Sequence, residues 1–503
     1  METLSKEVFR KYTDAETFSK IVDYDTFSQM WQFVSKQYSN NIAIASNDGS
    51  FTYQQLEDDA SKVRGLFAFE KDNNKVKIAI YANNGYDFVK SVIAVITSGY
   101  TAVILPAFLP EQAVLGCCMK FGVDGLIYQD ILEEKVSLAK EKLAHLQFVK
   151  ASQQGCQKPI AQADATDGCL IMFTGGTTGA SKGALLSNKA VMQGVVNGCY
   201  GYKDVFEQRY LLVLPLSHVF GIIRNLFTSL YTGSALWICK NNQDMFKDIA
   251  IFKPTILVMV PALAEMALAL SKKFNKNMLG PDLKLVIAGA AAVAPYLVKE
   301  YAKINVQMCP GYGLTESANL VSGNPESLNK PDSVGIPYPN QQLKFVDGEL
   351  WLKGANMMEG YVGEDNSLYY QDGWFKTGDL ARLDEDGFLY ITGRTKEVIV
   401  LPTGENISPA EVETTYNQLD FVADSQIFED VNEAGKHFLA LEIVPRAAIV
   451  AGLPVEDKNK YMMEKLEEVN QNMPAFKRVS SIVIREKDFD RTPAMKIVRY
   501  KKC

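Results

Sequence analysis

A rhythm of short apolar runs alternating with helical stretches constrains this chain more than any single residue does. Residues 76–81 and 99–105 read as strands on either side of a helix at 87–97, and further apolar strands are expected at 169–173, 210–214, 255–260 and 283–287. Strands buried on both faces read as continuous apolar runs, and the helices between them are the crossovers of a parallel sheet. Two α/β runs, at roughly 26–150 and 166–330, are therefore expected. From 333 to 394 the texture changes to short strands with turns at Asp347-Gly348, Asp372-Gly373 and Asp386-Gly387, the pattern of a small antiparallel barrel or sheet. The next helix starts at Ser408, which can cap, with Pro409 at the first helical position and Glu411 placed to complete a capping box. A boundary near 395 is expected to separate residues 1–394 from a C-terminal unit at 395–503.

A chain of 503 residues can bury several cores. Its 47% hydrophobic and 22% charged residues exclude collagen-like, coiled-coil and largely disordered readings. No apolar stretch reaches the ~18 residues of a membrane span; the best, 255–270, is interrupted by Pro261 and Glu265. The first residues mix Glu2, Lys6, Glu7, Arg10 and Lys11, unlike a secretory signal, so a cytoplasmic location without a transmembrane segment is expected. The net charge of −7 argues against a nucleic-acid partner. Eight cysteines form no CxxC pair and the three histidines, His145, His218 and His437, are far apart, so no zinc ligand set is expected.

The segment TGGTTGASKG, from Thr174 to Gly183, follows an apolar strand directly. Its glycines let backbone N–H groups approach an anion, its threonines add hydroxyl donors, and Lys182 adds a cation. That composition suits a polyphosphate, although a surface loop would also be glycine-rich. It is no Walker A loop, because glycine follows Lys182. In GYGLTES (311–317), Tyr312 can stack on a purine, Thr315 can donate to a phosphate, and Glu316 can hold a hard cation such as Mg²⁺. A helix-capping loop explains the same residues equally well. Asp379 can accept from vicinal ribose hydroxyls with Arg394 as a second fork; alone, each reads as a turn aspartate and a surface arginine.

Together and in this order, TGGTTGASKG, LPLSHVFG (214–221), GYGLTES, GWFKTGD (373–379) and RTPAMKIVR (491–499) closely resemble the acyl-adenylate-forming superfamily: acyl-CoA synthetases, peptide-synthetase adenylation domains and beetle luciferases. The resemblance covers about 27–499 and lies nearest the fatty acyl-CoA synthetase branch, through residues 393–413 and TPAMKIVR. It implies a large N-terminal domain of two α/β subdomains plus a small β-barrel, with a mobile small α+β C-terminal domain. Implied roles follow residue by residue. Thr174, Gly175, Gly176, Thr177, Thr178, Gly179 and Lys182 would wrap the β- and γ-phosphates of ATP. Gly289, Ala290 and Ala291 would border adenine and the acyl carboxylate, and Tyr312 would stack on adenine. Thr315 would meet the α-phosphate, Glu316 the Mg²⁺, and Asp379 with Arg394 the ribose. Lys496 matches the adenylation lysine and Lys396 the hinge. His218 would wall the acyl and thiol channels, with a packed structural histidine as the alternative. Gly175 stands where serine is usual, Ser181 where proline is usual and Met495 where glycine is usual.

The implied reaction activates a small-molecule carboxylic acid with ATP and passes the acyl group to coenzyme A. No aspartate for an amino acid's ammonium is visible near 214–223, so an apolar acyl chain or an aromatic acid fits better, and the branch resembled implies a fatty acid. Delivery to an acyl carrier protein, or a nucleotide-binding relative without turnover, are the alternatives. Peripheral membrane contact stays open, and nothing in the sequence fixes the oligomeric state.

Overall fold

A computed structural model of the chain describes residues 6–69, 72, 75–174, 182–400, 406–431, 437–453, 455–491 and 497–499. Two mixed sheets dominate the architecture. The first has seven strands, in the order Gly360–Tyr361, Lys182–Ser187, Gly168–Thr174, Thr101–Leu105, Lys77–Tyr81, Gly125–Tyr128 and Gln147–Lys150. The last five are parallel to one another, and Lys182–Ser187 returns antiparallel beside Gly168–Thr174. The second has nine strands, with Gln307–Tyr312, Leu285–Ala288, Ile256–Met259, Arg209–Leu212, Ala235–Ile238 and Ile42–Ser46 as neighbouring parallel members. One apolar core runs through both sheets, and a second lies on the seven-stranded sheet around Tyr81, Val103 and Phe121. The helix Tyr86–Thr97 is buried at every position from Phe88 onward. Its sequence is apolar from Val92 to Ile96, and the lysine it buries, Lys90, is paired with Asp87 at 2.8 Å.

The expected apolar strands appear with shifted ends. The run at 210–214 pairs only over Arg209–Leu212, because the carbonyl of Leu214 accepts from Asn84 Nδ2 at 2.8 Å and leaves the sheet. The run at 255–260 stops at Met259, where Val260 caps the helix Pro261–Lys273. After residue 333 a five-stranded antiparallel sheet forms from Gln341–Val346, Glu349–Gly354, Tyr370–Gln371, Trp374–Leu383 and Leu389–Arg394. Its turns use positive φ at both residues of Asp347-Gly348 (50° and 82°) and Asp372-Gly373 (52° and 76°), the geometry that follows the twist of a hairpin.

The capping box expected at Ser408 does not form. Ser408 does stand at the N-cap of the helix Pro409–Tyr416, but its Oγ donates to the carbonyl of Thr392 at 2.6 Å instead. Glu411 pairs with Lys477 rather than reaching back. The hydroxyl is drawn to a carbonyl across the fold, which ties this helix to the end of the antiparallel sheet. Beyond it, Val422–Val431, His437–Pro445 and Ser481–Ile484 form a three-stranded sheet with its own core, around Ile407, Tyr416, Leu441 and Leu466. The architecture is thus mixed α/β, a large N-terminal part followed by a small α+β part.

Arg446 holds the small part against the large one. Its side chain is 7% exposed, Nε donates to Glu265 Oε1 at 2.6 Å, Nη1 donates to the carbonyl of Asp420 at 2.7 Å, and the guanidinium lies 3.8 Å from the centre of the Tyr296 ring. Tyr296 Oη also donates to Glu265. Breaking a buried pair is costly, but Glu265 keeps 31% of its exposure, so the loss is discounted to about 1–3 kcal/mol. Arg446→Ala is expected to lower the midpoint at which the small part melts. Scanning calorimetry of both proteins checks this, and superimposable traces would leave the pair without a docking role.

No helix among the described residues is long and apolar enough to cross a membrane. No described cysteine is disulfide-bonded, and no described group of histidine, cysteine or acidic side chains forms a metal cluster.

Candidate active site

Parallel strands leave their C-terminal ends and following loops on one edge, where α/β proteins place their ligands. Of the predicted site residues, Thr174, Tyr312 and Gly289 stand at or directly after the ends of such strands. Thr174 and Lys182 pair across the hairpin of the seven-stranded sheet and flank the glycine–threonine loop. Gly175, Gly176, Thr177, Thr178 and Gly179 lie outside the described residues, as does Lys496. Lys182 Nζ stands 4.2 Å from the centre of the Tyr369 ring and 5.1 Å from that of Tyr361. The two rings meet edge to face at 4.7 Å. A cation over such faces is attracted to them without a formal countercharge.

Tyr361 also serves the next predicted residue, since its hydroxyl donates to Glu316 Oε1. Glu316 belongs to the short turn Thr315–Ser317, whose backbone is held where the N–H of Met358 donates to the carbonyl of Glu316 at 2.8 Å. Burial pushes the Glu316 carboxyl up, the Tyr361 hydrogen bond opposing this, and Asp379 and Arg394 act on it at longer range with opposite signs. Glu316 has no ion pair with a described cation, so its carboxylate suits a hard cation such as Mg²⁺.

Asp379 is 3% exposed and lies opposite Arg394 in the register of the antiparallel sheet. Its two oxygens are divided: Oδ1 accepts from Arg394 Nε at 2.7 Å and Oδ2 from Tyr312 Oη at 2.6 Å. Asp379 holds the guanidinium of Arg394 above its ordinary range, while burial and then the Asp379 charge raise the Tyr312 phenol well above its own. Tyr312 is thus fixed by its hydroxyl with its ring beside the strand end.

Gly289, Ala290 and Ala291 follow the strand Leu285–Ala288. Ala290 adopts φ of 65°, a left-handed conformation uncommon for a residue with a Cβ. A Cβ on Gly289 would stand 3.3 Å from Phe220 Cζ and 3.5 Å from the carbonyl oxygen of Gly311, so a glycine leaves the only slack at that contact. His218 sits two residues before Phe220, partly exposed, with Nδ1 accepting the Phe220 N–H at 3.2 Å and its own N–H donating to Pro215. The LPLSH turn is fastened by Asn84, which accepts from the N–H of Leu216 at 2.9 Å and donates to Leu214.

The structure therefore forms two linked groups: Tyr361 and Tyr369 join Lys182 to Glu316, Asp379 joins Tyr312 to Arg394, and Asp379 and Arg394 act on Glu316 at longer range. The two tyrosines were not singled out from the sequence. Their signal lies in GYVGEDNSLYY (360–370), but only the pairing of Tyr361 with Ala184 puts them beside Lys182.

Comparison with known proteins identifies the family. Residues 31–362 match the family model described as AMP-binding enzyme, and residues 396–502 match that of the AMP-binding enzyme C-terminal domain. The long-chain-fatty-acid–CoA ligase 1 of Schizosaccharomyces pombe is 25% identical over 86% of this chain and 78% of its own length. The 2-succinylbenzoate–CoA ligase of Bacillus velezensis is 27% identical over 78% and 88%. The 4-coumarate–CoA ligase-like 6 of Arabidopsis thaliana is 32% identical over 55% of this chain, and the match spans about half of that protein, 53%. Among solved structures, an anthranilate CoA ligase in complex with anthranoyl-AMP superposes with a TM-score of 0.81 at 20% identity, over 95% of this chain and 96% of the other. The o-succinylbenzoate coenzyme A synthetase of Bacillus subtilis in complex with ATP and magnesium gives 0.74 at 22% identity, over 93% and 98%. At these identities the structures establish a shared fold. With its first model covering well over half of the sequence, this chain belongs to the AMP-binding enzyme family.

Proposed function

We propose that the chain is an AMP-forming acid–thiol ligase that activates an aliphatic or aromatic carboxylic acid and transfers it to coenzyme A. The observation that carries this reading is the set of Asp379 with Arg394 and Tyr312, within electrostatic reach of Glu316, which Tyr361 ties to Lys182. An acceptor for a ribose, a ring beside a small strand end, a buried carboxylate for a cation and a lysine for phosphate are thereby linked.

In the first half-reaction the acid's carboxylate oxygen attacks the α-phosphorus of ATP, the bond to the β-phosphate breaks, and pyrophosphate leaves. The obstacle is the approach of an anion to a polyanion. Mg²⁺, when bound, supplies charge neutralisation at the phosphates. Glu316 would hold it, with Tyr361 fixing the carboxylate. Lys182 offsets charge at the phosphates, and its seat over Tyr361 and Tyr369 limits where the ammonium can go. Thr315, Gly289, Ala290 and Ala291 are assigned to the α-phosphate and acyl side, and the loop 175–179 to the β- and γ-phosphates. In the second half-reaction a thiolate attacks the acyl carbonyl and AMP leaves. His218 is assigned to the wall between the acyl and thiol channels. The unit from 395 onward is read as the moving one, and a cytoplasmic location fits a chain that uses ATP and coenzyme A.

Pyrophosphate release over a panel of acids tests this, with coenzyme A or a carrier protein as acceptor. Fatty or aromatic acids are expected to exceed free amino acids by at least about tenfold, since an uncompensated ammonium costs several kcal/mol to bury. Faster exchange with amino acids would overturn the acid assignment. Acyl transfer to a carrier protein but not to coenzyme A would overturn the acceptor.

A further inference from the structure

Arg224 is fully buried, in the π-helical segment Phe220–Phe227 that follows the LPLSHVFG turn. Among the described residues its Nε, Nη1 and Nη2 all lack a hydrogen-bond partner, and it has no ion pair with a described carboxylate. Guanidinium stays protonated in proteins, so this is a buried charge without a countercharge. The chain treats its other deeply buried arginines differently. Arg64 pairs with Glu57 and donates to Thr97 and to the carbonyl of Lys158, and Arg446 pairs with Glu265.

The groups around Arg224 do not supply an anion. Tyr202, with its ring centre 5.5 Å away, Tyr210, Tyr338, Cys199 and Cys309 surround it. Burial raises each of these phenols and thiols, Tyr210, Cys199 and Cys309 to about 12, so all are neutral near pH 7. Tyr210 Oη is itself without a partner. Neutral oxygens can orient a guanidinium but leave its charge uncompensated. π-Helical turns are rare and concentrate at functional sites.

Sheet register relates this charge to the candidate active site. Tyr210, Ile256, Leu285 and Gln307 form one row across the strands, and Leu212, Val258, Ile287 and Cys309 form the row two residues further on. Side chains two residues apart share a face. Two residues further again come Gly289, against which Phe220 packs, and Gly311. One face of the sheet thus carries two glycines at its edge, the small Cys309 below them, and Tyr210 at the bottom. Phe220 lies over Gly289, and Arg224, four residues along the same helix, acts on Cys309 and Tyr210. Both the strand rise and the helical rise set these levels roughly 6–7 Å apart.

We propose that Arg224 is the receptor for a second carboxylate at the far end of the acid substrate, so that the acids this enzyme prefers are dianions with a short spacer. The inference rests on the ligase reading above and narrows its acid. The reacting carboxylate lies at the glycine edge, and the distal one meets the fork of Arg224, a bidentate match. An apolar chain of the same length would leave the buried charge as it stands.

The test compares matched pairs: adipate with hexanoate, suberate with octanoate, and terephthalate with 4-methylbenzoate. Wild-type protein is expected to favour the best diacid by about 100-fold in kcat/KM, the effect of a charge-assisted fork. Arg224→Met should abolish that preference, and Arg224→Lys should keep part of it. Thermal stability gives the second readout. Removing an unpartnered buried charge should leave Tm unchanged or raise it, whereas removing a structurally satisfied arginine would lower it and depress both acids alike. Diacid binding is also read without turnover, as a Tm rise of the wild type that Arg224→Met loses. If no acid releases pyrophosphate, the ligase reading fails, and this binding result still decides the role of Arg224. Equal use of diacid and monoacid by wild type, or a destabilised Arg224→Met with an unchanged ratio, would overturn the proposal.

Discussion

Asp379→Ala is expected to lower kcat/KM for ATP by about 10²–10⁴-fold while the protein still folds. In the proposed reading the carboxylate accepts from both ribose hydroxyls, each charge-assisted hydrogen bond contributing about 1.5–3 kcal/mol. Two of them amount to about 3–6 kcal/mol, and each 1.4 kcal/mol is a decade. Asp379 also organises its neighbours. It is the counterion of Arg394 and the acceptor for Tyr312 Oη, so the alanine variant releases the ring read as the adenine platform. Arg394 keeps 48% of its side-chain exposure, so water takes over its charge and the structural cost of the lost pair is small. Asp379→Asn separates the two roles, because an amide oxygen still accepts but carries no charge. Its activity should fall between those of wild type and alanine. ATP–pyrophosphate exchange and a melting curve on each variant check this. An unchanged KM and kcat for ATP in Asp379→Ala would place the residue outside the site.

The sequence made the strands legible because their burial on both faces leaves uninterrupted apolar runs. It made the Asp-Gly hairpins legible because only a few residues tolerate positive φ at both turn positions. Strand ends were less so, since Leu214 leaves the sheet for a side chain, Asn84, that lies 130 positions away. Ser408 failed as a capping-box residue for the same kind of reason. Local spacing allows the box, and a carbonyl at Thr392 competes for the hydroxyl. Within the site, Asp379, Arg394, Tyr312, Glu316 and Lys182 could be nominated because their residue types suit nucleotide chemistry. Their partners could not. Tyr361 and Tyr369 are ordinary aromatic residues until the register of Gly360–Tyr361 against Lys182–Ser187 sets them beside Lys182. Arg224 did leave a trace, as the one charged residue in FGIIRNLF, although a lone arginine in an apolar helix could equally have paired with a distant acid, as Arg446 does with Glu265.

The other large effect is expected at Lys496. It lies outside the described residues, and the described residues that flank it, Arg491 and Ile497 to Arg499, are anchored. Arg491 pairs with Asp424 and Asp488, and its backbone bridges that of Ile497, while the N–H of Val498 donates to the carbonyl of Asp490 at 2.7 Å. Arg499 pairs with Glu413 at 2.6 Å and with Glu397, beside the hinge position, at 3.0 Å. The flanking residues Arg491 and Ile497 to Arg499 are therefore tied to the small part. In the proposed mechanism that part must fold over the site before this lysine can reach the phosphates. An ammonium about 4 Å from a phosphate oxygen, at an effective dielectric near 20, attracts it by roughly 4 kcal/mol. Realised in the transition state, that is about three decades of rate. Lys496→Ala is expected to slow adenylate formation by about 10²–10⁴-fold. Thiol capture of supplied acyl-AMP should stay nearly intact, because the pyrophosphate has left and the attack is then on the acyl carbonyl rather than on a triphosphate. Lys396→Pro should do the opposite. Lys396 is exposed in the short turn Thr395–Glu397, and a ring that fixes φ there hinders rotation into the thiol-transfer pose while leaving the phosphate side untouched. Single-turnover kinetics of each half-reaction in both variants decide between one fixed pose and two alternating ones. Equal damage to both halves in Lys496→Ala would mean that this lysine does not leave the site between them.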